Sequence, residues 1–578
     1  MRATIGLCLV CVAFGCGGDD SPNLDAGGGL DAGPGDAGQD ARRDAARRDA
    51  GSDAALPFDA GPPVTGCELW EDADAGSLDA GSSDGSLDGG AADDAGLGPL
   101  PPDAPPLAGP GGPSRTFRGD ELRVACAALD GGERDRDHHN TVRMLDGYLW
   151  MPWAHEAGVG GLSVFELSDP CAPVPVATTV AETMRETHAA GVAYLSGRRW
   201  MVTTSLTGIL LWDISDPAAP RVVTDMSLPN VTYPDSYARV VMSTFWQAPY
   251  IYVGASDNGV FIVDASDPEA PSLVGQFEPI PAFRVGGVHA IGTTLVVFAS
   301  EGARTQLFDV SDPTDPRPIP GGSWTLTDGG TDRLGRPNNR SAYFAHTNGG
   351  RAYYARHFLG GGLIIYDFHD PHAPRFLGAW TSPDLGANGG YVFIQGDEAF
   401  VGMSRFGEVI DIADPTNPTR LARIDMTGDL DTMVPVGNVI VASVDDDAVP
   451  GEASLVYPWK EVPDSVAPRV NFVAPRDGEE DVALGARVGV TFDEYIDLQT
   501  VHPGSFYLRP IDEGGAPLGP PVDALYSGQE GVYNLTPRRP LRPGTRYEVV
   551  VPAGGARDWS GNPTEAEFRS TFRTVSCE

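Results

Sequence analysis

The chain has 578 residues, enough for several separate hydrophobic cores. Its 80 acidic against 40 basic residues give a formal charge of −40, which argues against nucleic acid and anionic membrane surfaces as partners, since both call for a basic surface. Lys460 is the only lysine, so there is no G-K-[ST] phosphate loop and little scope for Schiff-base chemistry.

At the N-terminus, Arg2 and the apolar run at 3–14 read as an export signal processed at Ala13-Phe14-Gly15-Cys16. The run is shorter than the roughly 20 apolar residues a membrane-spanning helix needs. The four residues ending at Cys16 resemble the lipobox of bacterial lipoproteins, which implies lipidation of Cys16. The anchor would then lie in the bacterial cell envelope, at the outer membrane or cell surface. Residues 17–115 are nearly all Asp, Ala, Gly, Pro and Ser, with D-A-G recurring at Asp25-Ala26-Gly27, Asp31-Ala32-Gly33 and Asp59-Ala60-Gly61. Too few apolar side chains offset the entropy of ordering such a segment, so it is expected to be a disordered acidic linker, a stalk between anchor and folded domains.

Between about 116 and 462 a pattern of alternating apolar residues ends repeatedly in a D-P-x-x-P turn. Asp-Pro pairs begin at Asp169, Asp216, Asp267, Asp312, Asp370 and Asp414, a repeat of 44–58 residues, and a degraded seventh unit spans roughly 430–458. Periods of this length with β-branched strands and glycine turns point to a propeller of four-stranded blades. In the second unit the strands fall at 191–195, 200–204, 209–214 and 221–226, and Asp followed by Pro suits a type I turn joining the last two. Segments such as Val260-Phe261-Ile262-Val263-Asp264 followed by Ser266-Asp267-Pro268 resemble the LVIVD-repeat family. That resemblance implies a bacterial extracytoplasmic β-propeller with no family-defined catalytic residues. Residues 122–128 are expected to supply a strand to the last blade. Four cysteines outside the signal and Cys16 allow three pairings, and Cys126 with Cys171, which flank the first repeat, is the favoured one.

Blade geometry puts the uniform Asp-Pro turns on one face and the variable loops on the other, where function usually resides. Aligning the loops between second and third strands gives a candidate ligand-binding ring of His155, Glu156, Ser205, Asp257, Glu301, Arg356, His357, Arg405 and Asp446. The longest crossover, about 321–340, belongs to the same face. His138-His139 beside Asp135 and Asp137 reads as a solvated loop.

A change of pattern at Ala467-Pro468-Arg469-Val470 opens a last segment, 463–578, the size of a β-sandwich. Thr491-Phe492-Asp493-Glu494, Pro543-Gly544-Thr545-Arg546-Tyr547 and Asp558-Trp559-Ser560-Gly561-Asn562 resemble a bacterial Ig-like domain of the S-layer type, which implies an accessory or adhesive module. Asp558 and Asn562 read as turn formers, and no cofactor or metal is assigned. The expected fold is therefore all-β: a seven-bladed propeller, then an Ig-like sandwich, preceded by the acidic linker. H-E-x-x-H, G-x-S-x-G and paired-carboxylate motifs are all missing. The expected function is a surface-tethered binding, adhesion or scaffolding protein whose partner is an envelope or extracellular protein or glycan. The alternative is an extracytoplasmic hydrolase or oxidoreductase using the ring at the channel mouth.

Overall fold

The repeats fold as their alternation dictates. In the second unit, strands Gly191–Leu195, Arg198–Thr204, Gly208–Asp213 and Arg221–Ser227 pair antiparallel in chain order, each within two residues of its expected position. The computed structural model describes residues 65, 67, 107, 109–129, 131, 141–155, 158–233, 238–358, 360–384, 386–445 and 447–577. The residues read as an export signal, Cys16, nearly all of the segment expected to be an acidic linker, the His138-His139 cluster, Glu156 and Asp446 lie outside the described residues.

Seven four-stranded antiparallel blades are formed by the described residues. Five are continuous in sequence and begin with the inner strands Arg143–Leu145, Gly191–Leu195, Ser243–Gln247, Val285–Ile291 and Ser341–Asn348. The sixth and seventh share the long strand Thr419–Val436, whose first part pairs with Ser404–Asp411 and whose second part pairs with Val439–Val444. Ala127–Ala128 supplies the outer strand of the seventh blade by pairing with Ser454–Pro458, so an N-terminal segment closes the ring as expected.

Apolar side chains between neighbouring blades hold the ring shut. Trp150, Val164, Met201 and Trp212 pack blade 1 on blade 2, and Trp200, Val202, Trp246 and Phe261 pack blade 2 on blade 3. One continuous cluster joins blades 3, 4 and 5 through Tyr252, Phe298 and Tyr354. Tyr353, Ile365 and Val401 join blades 5 and 6. Met144 and Trp153 then meet Val434 and Val441 between blades 7 and 1. These side chains are buried, and a fully buried side chain of this size is worth about 1.5–3 kcal/mol.

The Asp-Pro turns are architectural in detail. Asp216 accepts from the backbone N–H of Ala218 at 2.9 Å through its side chain and from that of Ala219 at 3.0 Å through its carbonyl. Asp213, three residues earlier, accepts from Ser215 N–H at 3.1 Å and Arg221 at 2.9 Å. Equivalent side-chain bonds recur at Asp264, Asp267, Asp309, Asp312, Asp367, Asp370, Asp411 and Asp414. Each aspartate is an Asx turn that fixes its own backbone.

The C-terminal segment forms a sandwich. One sheet holds Val470–Ala474, Val488–Phe492, Val532–Pro537 and Ala524–Gln529, and the other holds Glu479–Val482, Phe568–Thr574, Arg546–Val551 and Tyr507–Ile511. Phe492, Leu508, Leu535, Val549 and Phe572 lie in its core. All described residues belong to one unit, Ala55–Glu578. Disulfides join Cys126 to Cys171 and Cys67 to Cys577. The second is a finding beyond the sequence reading: Cys67 falls inside the segment expected to be a stalk, and its neighbour Thr65 accepts a hydrogen bond from Leu484 N–H at 2.8 Å. No helix among the described residues is long and apolar enough to cross a membrane.

Candidate functional site: a plugged central channel and its open loop face

A propeller leaves the free edge of each inner strand facing a central channel, and such an edge invites another strand. Here the C-terminal domain takes it. Its strand Ala524–Gln529 pairs with the inner strand of blade 2 through Tyr526 with Tyr194, Ser527 with Ala193 and Gly528 with Val192. The docking face is the one that carries the turns between first and second strands. Asp497 accepts from Asp146 and Gly147 N–H at 3.0 and 3.1 Å in blade 1. Asn534 accepts from Gly292 N–H at 3.0 Å in blade 4, Thr491 from Gly349 N–H at 3.0 Å in blade 5, and the Asp493 carbonyl from Gly396 N–H at 2.6 Å in blade 6. Arg487 donates to the Val310 carbonyl beside an Asp-Pro turn.

The two-residue hairpin Glu530-Gly531 reaches into the channel. Both residues have positive φ, 51° and 81°, as a type I′ turn requires. A glutamate at its first position costs backbone energy that only a fixed environment sustains. That environment is ionic: the Glu530 carboxylate lies 3.1 Å from Arg143 Nη2 and 3.0 Å from His289 Nε2. Burial would raise its pKa, but the His289 hydrogen bond and the charges of His289, Arg143 and His346 outweigh burial and hold it at about 2. His346, nearby on the inner strand of blade 5, has neither ring nitrogen hydrogen-bonded, and desolvation lowers its pKa to about 3.

Above this cluster the channel is lined by His188, Ser243, Phe344, Tyr391 and Phe393. The His188 Nε2 lies 2.6 Å from Glu186 Oε1, and its Nδ1 lies 2.6 Å from the Met242 carbonyl. Both side chains are fully buried. Arg185, also buried, reaches Glu186 at 3.4 Å and the Val241 carbonyl at 3.2 Å. The cavity among these groups measures about 10 Å³, roughly the space of a single water. A wider groove of about 360 Å³ runs between the Asp-Pro face and the C-terminal domain, lined by Tyr250, Pro313, Arg487 and Arg539.

The residues aligned in the loop ring have separate fates. Glu301 is exposed, with φ of 48°, and lies 3.9 Å from His357 Nε2. His357 stacks on Tyr343 at 5.3 Å, approaches the Gly389 carbonyl at 2.9 Å and has its pKa lowered by burial. Asp257 lies 3.6 Å from Arg284, and Arg405 is exposed. Ser205 turns toward the outer strand of its blade, where its hydroxyl donates to Asp225 at 3.2 Å. Arg356 does likewise, donating to Thr381 at 2.6 Å. His155 is a half-buried loop residue whose backbone bonds to Gly158 and Val159. The long crossover forms a hairpin of Thr327–Thr331 and Pro337–Asn339, stapled by Arg340 to Asp328 at 2.7 Å and laid beside the outer strand of blade 5. Six loops of this face carry a non-glycine residue with positive φ: Val159, Ser256, Glu301, Phe358, Ser404 and Asp447.

Sequence reasoning missed the buried polar set. Arg185-Glu186-Thr187-His188 directly precedes the apolar strand Gly191–Leu195, and a charged run abutting a core strand was its only signal. Glu530 carried none, because its partners come from another domain.

These features define an all-β protein in which a β-propeller is docked by its own C-terminal sandwich. Residues 464–574 match the family model described as Bacterial Ig-like domain, and residues 248–278 match LVIVD repeat. Both modules are therefore present in the chain. No curated protein matches it by sequence. Among solved structures it is similar to the periplasmic gluconolactonase PpgL of Pseudomonas aeruginosa, at 13% identity and a TM-score of 0.39 over 57% of this chain and 96% of that one. It is also similar to a chain of the mitotic checkpoint complex, at 10% identity and 0.40 over 66% and 100%. A putative 6-phosphogluconolactonase from Bacteroides fragilis gives 11% and 0.37 over 49% and 83%. The bacterial Ig-like module and the two disulfides mark an extracytoplasmic protein.

Proposed function

We propose that the protein is a cell-envelope lipoprotein, tethered through Cys16, that binds an envelope or extracellular protein or glycan through the loop face of its propeller. The observation that carries this reading is the docking of the C-terminal domain. It occupies the Asp-Pro side of the channel with Glu530 bound to Arg143 and His289, so the described residues of the C-terminal domain dock on the side opposite the loop face. Strained, non-glycine loop residues gather on that face, as they do at binding surfaces. Exposed Glu301, Phe358 and Arg405 offer it charge of both signs and one aromatic contact.

The cavity beside His188 measures about 10 Å³, roughly the space of a single water, so a catalytic reading would have to use the loop residues at the channel mouth instead. Binding of the processed full-length protein to a panel of envelope glycans and proteins tests the proposal. Saturable binding is expected, weakened about tenfold or more by Phe358→Ala with Arg405→Ala, given the 1–2 kcal/mol typical of interface anchors. No saturable ligand, or a ligand indifferent to both changes, overturns it. Separately, Cys16→Ala should move the protein from the membrane to the soluble fraction, and unchanged partitioning overturns the anchor.

A further inference from the structure

The groove between the Asp-Pro face and the C-terminal domain, about 360 Å³ in volume, is as large as many pockets that hold a ligand. Both domains build its walls. Tyr250 of blade 3 and Pro313 of the blade 4 turn stand on one side, and Arg487, Pro537, Arg539 and Pro540 on the other. Tyr250 and the three prolines are each partly exposed, so the groove offers apolar contact as well as charge. Arg487 is 4% exposed, donates to the Val310 carbonyl at 2.6 Å and lies over the Tyr250 ring at 5.7 Å, while its buried Nε has no acceptor. Arg539 is exposed. No carboxylate among the described residues pairs with either guanidinium. A buried charged donor without an acceptor is costly, so the groove calls for an occupant that is apolar and carries an acid.

The chain delivers such a segment to the groove. Val575 N–H donates to the Val482 carbonyl at 2.9 Å, Cys577 is joined to Cys67, and Leu484 N–H donates to the Thr65 carbonyl at 2.8 Å. From Cys67 back to Thr65 the chain thus runs alongside residues 482–484. The wall continues in that direction as Leu484, Gly485, Ala486 and Arg487, all of which line the groove. Next in the same direction along the chain come residues 55–64, Ala55-Leu56-Pro57-Phe58-Asp59-Ala60-Gly61-Pro62-Pro63-Val64. They carry one acid, no base and three prolines, and Phe58 is one of only two aromatic residues between 17 and 115.

We propose that the groove is a docking site for this segment of its own chain, with Phe58 and the prolines against Tyr250 and Pro313, and Asp59 facing Arg487 and Arg539. Docked there, residues 55–64 touch both walls and strap the C-terminal domain to the propeller. Proline-rich segments suit aromatic-lined grooves because little conformational entropy remains to be lost. The disulfide at Cys67 holds the segment a few residues from its site, at an effective concentration on the order of millimolar. An intrinsic affinity in the same range therefore fills the groove.

Photo-crosslinking of the full processed chain, with its disulfides intact, tests this. After Phe58→p-benzoylphenylalanine, irradiation should join position 58 to residues 249–250, 311–313 or 536–540 of the same molecule. Adding Arg539→Glu should lower that yield about fivefold, the loss expected for one partly exposed charge pair. Crosslinks to other parts of the protein, or none, overturn the proposal. So do crosslinks between two molecules, which would seat a second copy's segment in the groove. Chymotryptic cleavage after Phe58 gives a second reading that needs no unnatural residue. It should be slow in the unaltered chain and about fivefold faster with Arg539→Glu, by the same charge-pair argument. Equal rates in the two chains count against docking as well.

Discussion

Glu530 and His346 show how single side chains tie stability to pH. Glu530 titrates at about 2 when folded against 4.5 when free, so the stability it adds is complete above 4.5 and lost as pH falls toward 2. His346 titrates at about 3 when folded against 6.5 when free. Between those values the unfolded chain binds a proton that the folded chain refuses, so stability also falls with acid there. The contribution of His346 to Tm should therefore fall below about pH 6.5, and that of Glu530 below 4.5. His346→Phe, placed among Phe393 and Tyr495, should flatten the first part of that decline. Melts across pH 3–8 check this, and an unchanged slope between 6.5 and 4.5 in the variant counts against it. None of this was legible in the sequence. His289 and His346 belong to no sequence motif, and the ring turns both toward a glutamate far along the chain.

At the scale of elements, the Asp-Pro turns and the closing strand carry the ring. Local chemistry determines the turns, since each aspartate bonds to an N–H two residues on, and this is why their positions could be read directly. Ring closure is non-local: Ala127–Ala128 must find Ser454–Pro458 across the whole propeller. The bond between Cys126 and Cys171 secures that strand to the turn after blade 1's third strand. With a sequence separation of 45 between the two cysteines, the chain-entropy relation assigns the bond about 4 kcal/mol. The double change Cys126→Ser with Cys171→Ser should cost a comparable amount in chemical denaturation, with the loss concentrated in blades 7 and 1. Hydrogen exchange should show strands Val439–Val444 and Ser454–Pro458 losing protection first.

For the molecule as a whole, the C-terminal domain is a structural partner of the propeller. It pairs with blade 2, caps the turns of blades 1, 4, 5 and 6, and places Glu530 beside Arg143 and His289. A chain ending at residue 462 should leave those two groups without their carboxylate and the edge of Gly191–Leu195 unpaired. Calorimetry should find its propeller melting well below that of the full chain, and the full chain unfolding in one transition. Two independent transitions at unaltered temperatures would show the docking to be energetically slight.

Periodicity and turn chemistry by themselves determined the blades, their strand positions and the closing strand, because these depend on neighbours within a few residues or on a repeat that displays itself. Only the tertiary structure decided which face the sandwich covers, that Cys67 joins Cys577, and that Arg356 and Ser205 turn away toward outer strands. It alone brought Glu530 to Arg143 and His289. Such groupings assemble from residues hundreds of positions apart, and no local pattern records which buried charge will meet which.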